Sequence, residues 1–476
     1  MIISSEKIHE VSYDVIICGS GPAGISLAID LEKKGIKSLI LESGDEFYSE
    51  DSQKRYEGIV EGNFPKDLSL LRLSQFGGTS GHWGGTCRPL DNYDFSNWPF
   101  KKDALAQFIA PTSKFLNIKK KFGEKEINPN LKIIEFLESD LRIYEKYFEH
   151  IKKSKDIFLI LNTSLVNINI EDKKVSSILI KTLSKKITIN SKVLILACGG
   201  IENSRLLLWF RENNRNLLKK SPIGNYWMEH PFKLIGSGVA NFSKVKESFK
   251  NDFYLFENFR NWGNFTVSLA PTKKMLQEKK ILNSGVFLTL HDRDNNTLKN
   301  NIKDLLCVAP KLSSQMLKLF DKKLLCGLSL SSSWEQDAEI SNKIILSKKM
   351  DDQGIPKTKL IYRLSKNSLD TAKEMVNEIG KYFISNDLGR IALAQEILEP
   401  EKFISEAGYH HLGGTRAGYN ENDSVVDQNL KIFGTENFYV LGSSVFPSGG
   451  HANPTYTIIQ LSLRLSNHIS KKLLEI

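Results

Sequence analysis

A strand, a glycine-rich turn, a helix and a second strand within the first 42 residues constrain this chain more than any other feature. Tyr13-Asp-Val-Ile-Ile-Cys18 reads as a buried strand, because its apolar run is short and β-branched. Gly19-Ser-Gly21-Pro-Ala-Gly24 follows, and an amphipathic helix is predicted from Ala23 to Lys34, with Gly35 ending it. Ser38-Leu-Ile-Leu-Glu42 is the next strand. Such a unit places its strands parallel in a sheet covered on both faces. Gly19 allows the tight turn, Gly21 lets backbone approach a pyrophosphate, and Gly24 lets helix and strand pack closely. The helix start offers free amides to phosphate oxygens, and Glu42 ends the second strand where a carboxylate accepts from ribose hydroxyls. The unit predicts a dinucleotide site rather than a glycine-rich surface turn, without choosing between nicotinamide and flavin.

The segment Gly77-Gly78-Thr79-Ser80-Gly81-His82-Trp83-Gly84-Gly85 tips that choice. So many glycines beside a tryptophan imply backbone pressed along an extended ligand, as FAD is, although a loop needing positive φ reads the same way. Helical pattern runs over Lys101 to Leu116 and Leu131 to Lys152. Short strands are predicted at Ile157 to Asn162, Val166 to Ile170 and Val175 to Lys181. Val193 to Cys198 is a further apolar strand, followed by Gly199-Gly200 and a helix from Glu202 to Phe210. From about Phe232 to Ala394 the texture changes to alternating strands, such as Phe265 to Leu269 and Ile340 to Leu346, among lysine-rich helices. Nucleotide-domain pattern returns with Asn437 to Gly442 and a C-terminal helix from Pro454.

A chain of 476 residues exceeds the usual single domain, so two are expected. The fold class is α/β: a Rossmann-like, doubly wound, mostly parallel sheet in a discontinuous FAD-binding domain (1–90, 155–231 and 405–476). A helical connecting segment fills 91–154, and an α+β substrate-binding domain on an antiparallel sheet fills 232–404.

The net charge of +10 comes from scattered lysines, with no basic stripe interleaved with aromatics, which argues against nucleic-acid binding. Five cysteines without Cys-x-x-Cys spacing, Cys18 and Cys198 among them at strand ends, read as buried free thiols. No apolar stretch reaches the roughly 20 residues needed to span a bilayer, so no integral membrane segment is expected. The opening Met1-Ile-Ile-Ser-Ser-Glu lacks the pattern of an export signal, so the chain reads as cytoplasmic.

Near the other end stand His411-Leu-Gly-Gly-Thr415 and Asn453-Pro454-Thr455. Removing hydride from an alcohol carbon requires the hydroxyl proton to leave, and imidazole titrates near working pH. A carboxamide donates to the developing alkoxide without itself titrating. Asn453 before Pro454 reads equally as a helix N-cap, and His411 alone as a structural histidine. His410 and His451 stand nearby as metal ligands on paper, but partners at ligand spacing are missing and no metal is expected.

Assembled, these residues resemble the glucose-methanol-choline oxidoreductases. The resemblance rests on Gly19, Gly21, Gly24 and Glu42, on Gly77-Gly78-Thr79 and His82-Trp83-Gly84-Gly85, and on Leu196-Ala-Cys-Gly199. It extends through Asn225-Tyr-Trp-Met-Glu-His230-Pro231, His411 to Thr415, Gly442-Ser443-Ser-Val-Phe-Pro447 and Asn453-Pro454-Thr455. It implies FAD, a small polar alcohol substrate over the flavin, such as a sugar or polyol, and His411 as general base. Asn453 takes the second active-site position, a pairing similar to that of the pyranose, choline and cholesterol oxidase branches. Leu165 falls where the family contacts adenine through its backbone. In members resembling pyranose 2-oxidase a histidine before tryptophan bonds covalently to the flavin; His82-Trp83 matches that dipeptide and leaves both covalent and noncovalent attachment open. The electron acceptor (oxygen, quinone or protein) is not specified. A flavin-dependent isomerase without net redox change and a non-catalytic nucleotide-binding module are the alternative readings.

Overall fold

The structure, a computed structural model, describes residues 1–65, 67–214, 217–249, 265–291, 297–308, 327–399, 403–404 and 408–475. Strand β1 is Val15–Cys18, helix α1 is Pro22–Glu32 and strand β2 is Ser38–Leu41. Val15, Ile16 and Ile17 are fully buried, as strands covered on both faces must be. Five parallel strands form one sheet in the order Phe438–Val440, Val193–Leu196, β1, β2, Ile157–Ile160. The chain leaves β1 toward β2 and later returns on β1's other side, so the strand order reverses there. Such a reversal opens a crevice at the carboxyl ends of the strands, where nucleotides bind in open α/β sheets.

Helix α1 has Pro22 at its first position, where the missing N–H costs nothing. It is buried almost all round, not amphipathic as its sequence suggested, because the tail covers it. The terminal helix Thr455–Leu474 lies along it, with Ser462 Oγ donating to Ala23 O at 3.2 Å and Lys34 Nζ donating to Ser466 Oγ at 2.7 Å. Head and tail of the chain thereby share one core.

The second layer is a seven-stranded sheet in the order Gly389–Leu393, Phe232–Ala240, Leu328–Trp334, Ser284–Leu290, Phe265–Pro271, Leu131–Ile134, Glu124–Glu126. All its pairings are antiparallel. The helix Lys366–Ser385 packs its Leu369, Met375, Val376, Ile379 and Phe383 into the core on one face. Leu131–Ile134 corrects the sequence reading, which gave helix from Leu131; the helix is Ile143–Lys153. A four-residue apolar run carries no period of its own, and pairing with Phe265–Pro271 makes it a strand.

Cys18, Cys87 and Cys198 are free, and burial pushes all three thiols well up, so they are inert. Cys307 is disulfide-bonded. Among the described residues no helix is long and apolar enough to cross a membrane.

Candidate active site

The crevice at the strand reversal opens into a cavity of about 500 Å³ that runs from the glycine turn to the antiparallel sheet. Its walls combine Gly19, Gly21, Glu42, Gly78, Thr79, His82, Trp83 and Leu165 with Gly199, His411, Gly442, Ser443, Asn453, Pro454 and Thr455. Gly24 and Gly77, also singled out from the sequence, do not line it. They shape the turn instead: a Cβ on Gly24 would stand 2.0 Å from Gly19 O, and Gly77 donates its N–H to Ser20 O at 3.0 Å from a φ of +86°.

Both oxygens of Glu42 are engaged. Oε1 accepts from Gly44 N–H at 2.8 Å, and Oε2 accepts from Ser20 N–H at 3.0 Å and Ser20 Oγ–H at 2.7 Å. Burial pushes this carboxyl upward and these donors pull it back. Glu42 therefore ties the end of β2 to the turn whatever else it holds. The glycine-dense segment folds as a short 3-10 helix, Gly78–His82, and a Cβ on Gly78 would stand 3.2 Å from Gly21 Cα. Contact that close presses the loop onto the turn. His82 is exposed, with its ring 5.9 Å from that of Tyr409.

Among the described residues, eight buried polar atoms on cavity-lining side chains have no hydrogen-bond partner: Arg72 Nε, Trp83 Nε1, Thr86 Oγ1, Ser333 Oγ, Gln353 Oε1, His411 Nε2 and both ring nitrogens of His451. Buried polar groups are seldom left so, and these would be met by a polar ligand. The glycine cradle, the free amides at the start of α1 and these atoms fit an elongated dinucleotide such as FAD. Arg72 Nη1 donates to Glu202 at 3.0 Å, while Arg205 joins Glu202 to Asp351. This buried network of two arginines and two carboxylates left no signal in the sequence, since its members lie up to 279 residues apart in the chain from Arg72 to Asp351.

At the opposite end, Met228 and Leu412 exchange backbone hydrogen bonds at 2.8 and 2.9 Å, bringing Glu229-His230 beside His410-His411. Asn453 does not cap the terminal helix; its Nδ2 lies 3.2 Å from Nε2 of His410. His410 Nδ1 lies 3.0 Å from His230 Nδ1, and His230 Nε2 lies 3.3 Å from Gly449 O. The imidazole that meets the Asn453 carboxamide is thus that of His410, not that of His411. His411 is buried between Phe64 and Trp227, with ring centroids 6.3 and 5.9 Å away. Its Nε2 stops 3.6 Å from Glu229 Oε2. Burial, then the Arg72 charge, pushes His411 down to about 3, and burial pushes Glu229 up to about 8. Glu229 and His230 stood in the sequence within the motif from Asn225 to Pro231 without an assigned role, and His451 stood there as a neighbour of Asn453. Toward the antiparallel sheet the cavity ends on Phe136, Phe232, Phe287, Ser333 and His451.

Residues 339–462 match the family model described as GMC oxidoreductase, and residues 12–55 match one described as FAD binding domain. The chain is 24% identical to the fructose dehydrogenase large subunit of Gluconobacter japonicus, over 59% of this chain and 47% of that protein. It is 23% identical to 2-methyl-1,2-propanediol dehydrogenase of Mycolicibacterium austroafricanum, over 60% of this chain and 49% of that one. The chain thus spans about half the length of these relatives. Pyridoxine 4-oxidase from Mesorbium loti has the same fold, with a TM-score of 0.61 at 13% identity, covering 96% of this chain and 99% of that one. With a dinucleotide cradle built by the head of the chain and closed by a tail that carries the family's own pattern, the chain belongs to the glucose-methanol-choline oxidoreductases and uses FAD.

Proposed function

We propose that this chain oxidises the CH–OH group of a small polar alcohol to a carbonyl. FAD, when bound, supplies the two-electron acceptor for the carbinol hydrogen. The turn from Gly19 to Gly24 and the start of α1 would hold its pyrophosphate, Glu42 its ribose, and the backbone at Leu165 its adenine. The loop from Gly77 to Trp83, with Gly199, Gly442, Ser443, Pro454 and Thr455, would flank the rest. One observation carries the reading: a carboxamide and an imidazole, Asn453 and His410, meet at 3.2 Å on the cavity wall. The imidazole accepts the hydroxyl proton while the amide N–H steadies the oxygen as charge develops. Sequence resemblance points to the neighbouring His411 for the proton, so the two adjacent rings are the candidates for that role.

A sugar or polyol substrate is supported by relatives whose names specify fructose and a propanediol. Anaerobic mixing with fructose, sorbitol, 2-methyl-1,2-propanediol and pyridoxine tests the reading. Bleaching of the oxidised flavin by one of them supports net oxidation. Turnover of a substrate without bleaching would favour an isomerase, and purified protein that neither is yellow nor takes up flavin would favour a nucleotide-binding module. Reoxidation of the bleached protein by air, a quinone or a protein identifies the electron acceptor. Acid precipitation tests attachment through His82: colour stays in the pellet if the bond exists and is released if it does not.

A further inference from the structure

Resting on that reading, we infer that the end of the cavity on the antiparallel sheet recognises a second hydroxyl. His451 and Ser333 hydrogen-bond a substrate O–H other than the one oxidised, which makes the substrate a neutral diol or polyol. The sheet builds this end as a row. Phe232, Ser333 and Gly285 are directly paired across three neighbouring strands, so their side-chain positions share one face, each about 5 Å from the next. Phe287 comes two residues after Gly285, on the same face, and Phe136 packs against it with ring centroids 5.4 Å apart. Gly285 is the gap in this row, and the His451 ring fills it. A Cβ on Gly285 would stand 2.7 Å from Cδ2 and 3.5 Å from Nε2 of that ring. The ring also stands T-shaped to Phe136, with centroids 6.0 Å apart. The imidazole therefore lies over Gly285, beside Ser333 and among the phenylalanines.

His451 is 1% exposed and Ser333 8%, and neither the serine Oγ nor either ring nitrogen has a hydrogen-bond partner. Burying such atoms unmet is costly, so they define what fits between them. Burial pushes His451 down to about 3, so at neutral pH its ring offers one N–H and one bare nitrogen. The charges of Arg88, Asp91 and Lys132 act on it from behind, paired through Asp91 and away from the cavity wall. The serine hydroxyl both donates and accepts, and a substrate hydroxyl does the same. A carboxylate, phosphate or ammonium group meets no opposite charge among Phe136, Phe232, Phe287, Ser333 and His451. An unsubstituted aryl ring meets the phenylalanines and none of the three polar atoms. A polyol meets both, its C–H faces against the rings and its hydroxyls at His451 and Ser333. His451 stands two residues before Asn453, a backbone span of about 7 Å at most. The hydroxyl held there lies within a few carbons of the one oxidised.

Two alcohols that differ by a single hydroxyl test this on the FAD-loaded protein: 2-methyl-1,2-propanediol and 2-methyl-1-propanol, with D-sorbitol and benzyl alcohol beside them. In anaerobic stopped flow the diol or D-sorbitol should reduce the flavin at least about tenfold more efficiently than the mono-alcohol or benzyl alcohol, because the latter leave buried polar atoms unpaired. Ser333→Ala and His451→Phe should each erase most of that preference. His451→Gln, which keeps a donor and an acceptor, should retain it. A smaller preference in the parent protein, or one that survives both Ser333→Ala and His451→Phe, overturns the inference and leaves alcohol oxidation standing. Should His451→Phe fail to fold, Ser333→Ala, which removes a single oxygen, decides alone. If no alcohol bleaches the flavin, the proposed function fails, and calorimetric titration with D-sorbitol decides the site. Weaker binding to Ser333→Ala than to the parent protein upholds it; equal binding, or none to either, overturns it.

Discussion

His411 on the cavity wall faces Glu229 at 3.6 Å, and burial keeps both uncharged near neutral pH. Neither forms an ion pair, because taking two charges out of water costs more than their attraction returns unless geometry is excellent. Glu229 also holds the backbone that carries the next ring, accepting from His410 N–H at 2.7 Å.

Stability should therefore depend on pH in two opposite ways. His230, His411 and His451 have folded-state values lowered from 6.5 to about 4, 3 and 3, so their contribution is complete above 6.5 and lost as pH falls toward those values. Glu229 is raised from 4.5 to about 8, so its contribution is complete below 4.5 and lost as pH rises through 8. The thermal midpoint should peak near pH 6.5 and fall on both sides. Between pH 6.5 and 8 the loss from Glu229 is about 2 kcal/mol. Glu229→Gln should flatten that alkaline limb in thermal melts; an unchanged limb would show that Glu229 is charged when folded.

Gly24→Ala should abolish flavin retention. Its new methyl would stand 2.0 Å from Gly19 O, on backbone that has no room to retreat from β1. Overpacking of this kind costs about 1–3 kcal/mol, and here it also opens the turn. The absorbance ratio of flavin to protein after purification measures the effect, and a parent-like ratio contradicts it.

Glu202→Ala should destabilise the protein by about 3–5 kcal/mol, because it leaves the buried guanidinium of Arg72 without its partner. Urea unfolding followed by tryptophan fluorescence reads the change. A loss below about 1 kcal/mol would mean that water or cofactor already satisfies Arg72.

Asn453→Asp should move the acid limb of flavin reduction to higher pH. A carboxylate 3.2 Å from His410 Nε2 favours the protonated ring, and a protonated ring cannot accept the substrate proton. Rate against pH should rise later than in the parent protein, while Asn453→Ala lowers the rate without that displacement. Coincident acid limbs in the parent protein and Asn453→Asp would remove His410 from the proton transfer.

The sequence alone determined the parts of this protein whose signals are local. The strand–turn–helix–strand from Val15 to Leu41 is legible because apolar runs, glycine freedom and proline at a helix start act within a few residues of each other. Only tertiary structure made Leu131–Ile134 a strand, since four apolar residues serve either element until a neighbour pairs with them. It also gave the two adjacent histidines, both on the cavity wall, different surroundings. In extended backbone successive side chains point to opposite faces, so a motif locates the pair but not the neighbours of each ring. Trp227 and Phe64 enclose His411, while His230 and Asn453 bracket His410 from segments 180 and 43 residues away.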